Sequence, residues 1–204
     1  MNNFYKDNLF AETPASNHIE NIVERNFIKS GVNRVFEEHP GLVGIGSQEQ
    51  YSSYLENIFS DSQIKEILYH EGNEGIIDFD NTKYNKHLGR EELKFRYGLG
   101  HYFAGDIEYA EGFGEQMYSV MLDMKSPKLI TIDGSSENYR KIANIDQAAL
   151  DQLRRDGYDS VVGIAVEELK EAYPDEYVVF EPEQAHILGS QKDIDAFRKF
   201  VDNE

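Results

Sequence analysis

The stretch GHYFAGDIEYAEGFG, residues 100–114, is the part of the sequence around which the rest of the chain is organised. Two consecutive aromatic residues, Tyr102 and Phe103, lie near its start, and Tyr109 and Phe113, four positions apart, lie in its second half. Residues at that spacing share one face of a helix. The pattern therefore predicts a short helical turn that presents two aromatic rings to one side of a cleft. Packing within a core is the alternative explanation for such a group of aromatic residues.

Composition limits the possible classes of protein. The 204 residues include 20 Lys or Arg and 38 Asp or Glu, which gives a net charge of −18. A surface this negative repels polyanions, so we expect no general nucleic-acid binding. Cysteine is absent, which excludes disulfides, Cys-type zinc sites and a Cys nucleophile. No apolar run resembles a signal peptide or a membrane span, so we expect a cytoplasmic protein with no membrane partner.

Residues 1–46 are predicted to form a helical N-terminal extension, and residues 47–204 the main domain. Asn17 and Glu20 resemble a capping box, and the helix that follows is expected to end at Gly31. A second short helical piece is predicted over 32–38. The extension could either pack on the domain or bind a partner, and packing is the expected arrangement.

The main domain is predicted to begin with an amphipathic helix capped by Ser47 and Gln50. Its apolar residues repeat at helical spacing: Tyr51, Tyr54, Leu55, Ile58 and Phe59. A strand is predicted next over 64–70, ending at His70. Residues 73–97 are predicted to be mostly loop. Their basic side chains are the best local partners for an anionic ligand, although solvated charges are the ordinary interpretation: Arg90, Lys94 and Arg96.

The second half of the chain alternates predicted strands with short helices. Strands are predicted over 117–124, with one buried face, and over 128–132, 160–164, 176–180 and 185–188. A helix capped at Asn144 is expected to end at Gly157, and a last helix runs from Ser190 to Val201. Adjacent predicted strands lack the regular crossover helices of a doubly wound sheet. The sequence therefore predicts an α+β fold with a split, partly antiparallel sheet.

Common catalytic motifs are absent, including Gly-rich phosphate loops and the His-Glu-x-x-His metal motif. The remaining candidates for a functional site are His70, Tyr102 and Glu176, which lie on three predicted strands. Tyr109 and Phe113 are expected nearby. If these strands are neighbours, we expect the three residues to meet on one side of a cleft. Aromatic faces suit the cationic nicotinamide ring, and a fixed carboxylate stabilises the oxocarbenium ion formed when a glycosidic bond breaks.

Several motifs, in this order, resemble those of the ADP-ribosyltransferases of the His-Tyr-Glu class, which includes diphtheria-type toxins and poly(ADP-ribose) polymerases. They are LYHEG at 68–72, GHYFA at 100–104, AEGF at 110–113, MLDMKSP at 121–127, GYDSVV at 157–162 and DEYVVFEPEQ at 175–184. The chain is similar in particular to the small transferase domains of phage and plasmid polyvalent proteins. The resemblance covers roughly residues 48–190.

The resemblance implies an NAD-dependent mono-ADP-ribosyltransferase, with NAD as substrate, no metal, and an unidentified macromolecular acceptor such as a protein. His70 would hydrogen-bond the adenosine ribose, and Tyr102 and Phe113 would enclose the nicotinamide ring. Glu176 would hold the nicotinamide ribose and stabilise the transition state. Other residues that would contribute to the NAD pocket are Glu71, Gly72, Phe103 and Tyr109.

One residue departs from the family pattern. Glu71 stands where the family has a Gly whose backbone grips the nicotinamide carboxamide, and Gly72 comes one position later. Either the backbone of Glu71 takes over this contact, or the strand end is bulged, or the pocket is altered. An NAD glycohydrolase, with water as acceptor, and an inactive binding module of the same fold are the alternative functions.

Overall fold

The computed structural model describes residues 27–76, 78–79, 99–135, 141–142, 145–170 and 175–203. Its α-helices are α1 (Phe27–Glu38), α2 (Gln48–Ile58), α3 (Ile107–Ala110), α4 (Gln147–Arg155) and α5 (Gln191–Val201). The strands are β1 (Leu68–Gly72), β2 (His101–Ala104), β3 (Gln116–Leu122), β4 (Pro127–Ile132), β5 (Ser160–Ala165), β6 (Glu176–Val179) and β7 (Ala185–Ile187). Short 3-10 helices cover Pro40–Gly44, Glu167–Leu169 and Pro182–Gln184.

The strands form one mixed sheet in the order β4-β5-β6-β2-β1-β3-β7. The β4–β5 pair is parallel, and the other registered pairs are antiparallel. The predicted α+β class with a mixed sheet is therefore confirmed. A single registered pair, Tyr69 with Ala104, joins β1 to β2. The sheet consequently opens beyond this pair, in the direction of Gly72.

Helix α1 passes through Gly31, so the prediction that the helix ends there is wrong. A Cβ atom at position 31 would lie 2.7 Å from the Cδ1 atom of Ile67. This glycine is therefore explained by close packing of α1 against Ile67, in the segment before β1, rather than by helix termination. The predicted helix start at Asn17 lies outside the described residues.

The described part of the N-terminal extension packs on the domain, as expected. Val32, Val35, Phe36 and Leu42 are buried in one core cluster with Tyr51 and other residues of the main domain. The domain boundary after residue 46 stays a prediction.

The predicted capping residues are mostly confirmed. Ser47 and Gln50 form the reciprocal capping box of α2, and the Ser190 hydroxyl accepts a hydrogen bond from the Asp193 amide at the start of α5. Helix α4 is an exception, because its cap is Asp146 and not Asn144. Gly157 follows this helix with φ of +88°, the left-handed conformation that favours glycine.

Two strand predictions need correction. Strand β1 starts at Leu68, four residues later than predicted, and continues to Gly72, so His70 lies in its middle. Strand β3 was expected to have one buried face, yet Ser119 and Met121 on its second face are also buried. The second face is covered because Met121 packs in the core cluster that includes α1, α2 and α5. No helix of the described ranges is long and apolar enough to cross a membrane.

Candidate functional site

The opening of the sheet between β1 and β2 is bridged by His70. Its Nδ1 atom lies 2.9 Å from the backbone carbonyl oxygen of Tyr102. Because a carbonyl only accepts hydrogen bonds, Nδ1 carries the proton and Nε2 of the neutral ring is an acceptor. Burial lowers the pKa of His70, which favours this neutral form.

The register of the sheet decides which predicted residues share a face. Ala104 is paired with Glu176 and Tyr102 with Val178, so Tyr102 and Glu176 lie on the same face. Tyr69 joins this face through its pairing with Ala104. His70, the next residue, therefore lies on the opposite face. The expectation that His70, Tyr102 and Glu176 meet on one side is wrong for the His70 side chain.

The ring of His70 packs among aromatic residues. Its centroid lies 5.0 Å from that of Phe79 and 5.5 Å from that of Phe103. Phe103 is only 3% exposed and belongs to the core. It therefore supports His70 and presents no free face to a ligand.

Glu176 is the first residue of β6, and its side chain is half-buried. Its Oε1 atom accepts a hydrogen bond of 3.1 Å from the hydroxyl of Tyr109. Burial raises the pKa of Glu176, and the Tyr109 hydrogen bond opposes this effect. The site thus contains a partly desolvated carboxylate with one oxygen bound by a phenol.

Phe113 lies outside the helix on which it was predicted, because α3 ends at Ala110. The chain turns at Gly112, which has φ of +94°. The rings of Tyr109 and Phe113 are nevertheless neighbours, with centroids 6.2 Å apart. Phe113 is 55% exposed, which is unusual for a residue of this size. The structure therefore places an accessible aromatic ring next to the residue that binds Glu176.

Glu71 lies in regular register with β3, and the β1–β3 ladder runs without interruption from Leu68 to Gly72. The explanation by a bulge is therefore wrong. The Glu71 Oε2 atom accepts hydrogen bonds from the amides of Phe113 (2.7 Å) and Gly114 (2.9 Å). These amides, that of Gly114 above all, lower the pKa of Glu71. No local sequence pattern predicts this contact, because Glu71 and Phe113 are 42 positions apart in the chain.

Two further predicted residues have partners within the protein. The Tyr102 hydroxyl donates a 3.1 Å hydrogen bond to the carbonyl of Ile142, and its half-buried ring packs beside the core that includes α4. The carbonyl of Gly72 accepts a 2.8 Å hydrogen bond from the amide of Glu115.

The three basic residues singled out in the charged loop lie outside the described part of the chain: Arg90, Lys94 and Arg96. Within the described ranges, no three His, Asp or Glu side chains are grouped as a metal site would require.

Two comparisons of the sequence with known proteins identify no relative of this chain. No family model matches the chain. A search of curated proteins also found no match.

Proposed function

We propose that this protein is an NAD-dependent mono-ADP-ribosyltransferase that transfers ADP-ribose to a protein acceptor and releases nicotinamide. The observation that carries the proposal is the half-buried Glu176 carboxylate, bound by Tyr109, whose ring neighbours the exposed ring of Phe113. The order of the motifs and the opening of the sheet between β1 and β2 support an ADP-ribosyltransferase-like fold.

The chemistry requires a negative charge fixed close to the reacting carbon. When the bond between ribose C1′ and the nicotinamide nitrogen breaks, its electron pair leaves with nicotinamide and positive charge develops on the ribose. Glu176 accepts a hydrogen bond from the ribose 2′-hydroxyl and stabilises that charge. The partial burial of Glu176 strengthens this electrostatic interaction. A nucleophile of the acceptor then bonds to C1′ and loses its proton.

The neighbouring residues provide the binding surfaces. Phe113 and Tyr102 supply aromatic faces for the cationic nicotinamide ring. His70 offers its Nε2 acceptor to a hydroxyl of the adenosine ribose, because its Nδ1 proton is engaged by the Tyr102 carbonyl. The two ends of a dinucleotide are far apart, so an extended NAD molecule at the opening of the sheet can contact His70 on one face and Glu176 on the other.

The charge of the protein bears on the acceptor. With a net charge of −18, the protein repels nucleic acids and favours basic surfaces. We therefore propose a protein acceptor. The resemblance to toxin-like domains of phage and plasmid proteins suggests that the acceptor belongs to the cytoplasm of a bacterial or phage-infected cell.

The test is nicotinamide release from NAD by the wild type and by Glu176→Gln, with and without bacterial lysate. We expect release that depends on lysate, a labelled acceptor band, and a loss of rate of about 10²- to 10³-fold in Glu176→Gln. Release without lysate would instead identify a glycohydrolase. No release in either condition would overturn the enzymatic proposal and leave an NAD-binding or partner-binding module.

A further inference from the structure

Glu71 departs from the family motif, and its side chain contacts the loop that carries Phe113. We propose that Glu71 is a positioning residue, whose carboxylate holds this loop so that the Phe113 ring stays at the wall of the site. The inference rests on the proposed function and adds a specific requirement to it. It explains why an acidic residue is compatible with an NAD site at this position.

The hydrogen bonds of Glu71 fix the loop on both sides of the Phe113 residue. Its Oε2 atom accepts hydrogen bonds from the amide nitrogen of Phe113, at 2.7 Å, and from that of Gly114, at 2.9 Å. An ionised carboxylate makes shorter and stronger hydrogen bonds than a neutral acceptor. The two peptide planes that flank Phe113 are therefore oriented by one side chain of β1.

A second anchor follows immediately. The amide of Glu115 donates to the carbonyl of Gly72 at 2.8 Å. A Cβ atom at Gly114 would lie 2.5 Å from the backbone nitrogen and oxygen of Gly72, so only glycine allows the loop to approach this closely. The loop thus lies directly against the end of β1, and the Glu71 carboxylate binds it just before this contact.

Backbone anchoring matters here because burial does not fix the Phe113 side chain, which is 55% exposed. A loop held in place before the ligand arrives lowers the entropy cost of binding. Loss of the Glu71 carboxylate should therefore weaken NAD binding. The chemical step should change little, because the hydrogen bond between Tyr109 and Glu176 does not involve Glu71.

A fluorescence experiment tests the position of the loop independently of enzymatic activity. The chain has no tryptophan, so Phe113→Trp introduces a single tryptophan, which is excited selectively at wavelengths where the 13 tyrosines do not absorb. Glu71→Ala and Glu71→Gln are then added separately to this variant. Glu74→Ala is the matched control, because Glu74 is an exposed carboxylate three residues along the chain. Thermal melting of each variant verifies that it is folded.

With Glu71→Ala we expect lower anisotropy of the introduced tryptophan and about a twofold increase in its quenching by neutral acrylamide. Glu71→Gln should be intermediate, because its amide oxygen still accepts hydrogen bonds but carries no charge. The control should leave both signals unchanged. Equal anisotropy and quenching with Glu71 and with alanine at that position would overturn the proposal.

Kinetics of the chain with its natural Phe113 give the second readout. Glu71→Ala should raise KM for NAD about fivefold and leave kcat within about twofold. An unchanged KM, or a loss confined to kcat, would overturn the positioning role. If no variant releases nicotinamide, the proposed function fails, and the fluorescence comparison still decides whether Glu71 holds the loop.

Discussion

Among the carboxylates that tyrosine hydroxyls bind in the described part of the chain, Asp193 and Glu176 differ in how many donors surround them. Asp193 at the start of α5 is completely buried. It accepts hydrogen bonds from Tyr51, from Tyr54 at 3.1 Å, from His186 at 2.7 Å and from the Gly189 amide at 2.8 Å. Its acceptor capacity is therefore used within the protein, where it connects α2, β7 and α5.

Glu176 has a different environment. Its side chain is half-buried, and Tyr109 is its side-chain hydrogen-bond partner within the described part of the chain. Burial is the main cause that raises the pKa of Tyr51 and Tyr54 around Asp193, so those hydroxyls remain donors. At Glu176, burial raises the pKa of the carboxyl itself. A fully satisfied carboxylate stabilises the fold, whereas one with spare acceptor capacity is available to a ligand.

The largest effect is expected on the structural side of this comparison. Asp193→Ala removes the acceptor of four donors and should lower the free energy of unfolding by about 3 kcal/mol. Asp195→Ala on the same helix is the control. Asp195 is half-exposed and pairs with Arg198 on the surface, so we expect a loss below about 0.5 kcal/mol. Urea denaturation measures both, and similar small losses would show that the buried group is not essential to the fold.

A smaller effect is expected from the exposed ring at the site. Phe113→Ala should raise KM for NAD about tenfold, because a stacking surface is lost. The melting temperature should stay the same, since the ring is 55% exposed. Val43→Ala serves as the control, because Val43 is 69% exposed and should affect neither quantity. A drop in melting temperature with unchanged KM would assign Phe113 to packing instead.

The smallest effect concerns the hydrogen bond at Glu176. The Tyr109 hydroxyl favours the ionised carboxylate and lowers its pKa, so Tyr109→Phe should raise that pKa further. Because the ionised form is required, the acid limb of the kcat profile should move to higher pH. The loss of kcat should therefore be larger at acid pH than at neutral pH. A pH profile of nicotinamide release measures this shift. Tyr158→Phe is the control, since the Tyr158 ring faces Lys128. If the acid limb of the kcat profile does not move in Tyr109→Phe, the Tyr109 hydroxyl does not influence the pKa of Glu176.

Much of the local structure could be predicted from the sequence. The capping box at Ser47 and the cap at Ser190 are present as expected, and β4, β5, β6 and β7 lie close to their predicted positions. Gly31 shows where such prediction fails. A glycine at this position is typical of a helix end. The structure instead explains Gly31 by its close contact with the Ile67 side chain, which comes 36 positions later in the chain.

The candidate site likewise has features that could be predicted from the sequence and features that could not. Aromatic and acidic residues around 100–114 and at 176 could be selected from the sequence, because residue type and short spacing carry that information. The register of β1, β2 and β6 decided that Tyr102 and Glu176 share a face and that His70 does not.

Local sequence was enough to predict the caps at Ser47 and Ser190, the helical and strand periods and the kinds of residue at the site, because these depend on neighbours within about four positions. The contact of Glu71 with the Phe113 loop and that of Tyr109 with Glu176 depend instead on the folded arrangement of the chain. These contacts join residues 42 and 67 positions apart, so they exist only once the sheet has brought distant segments together.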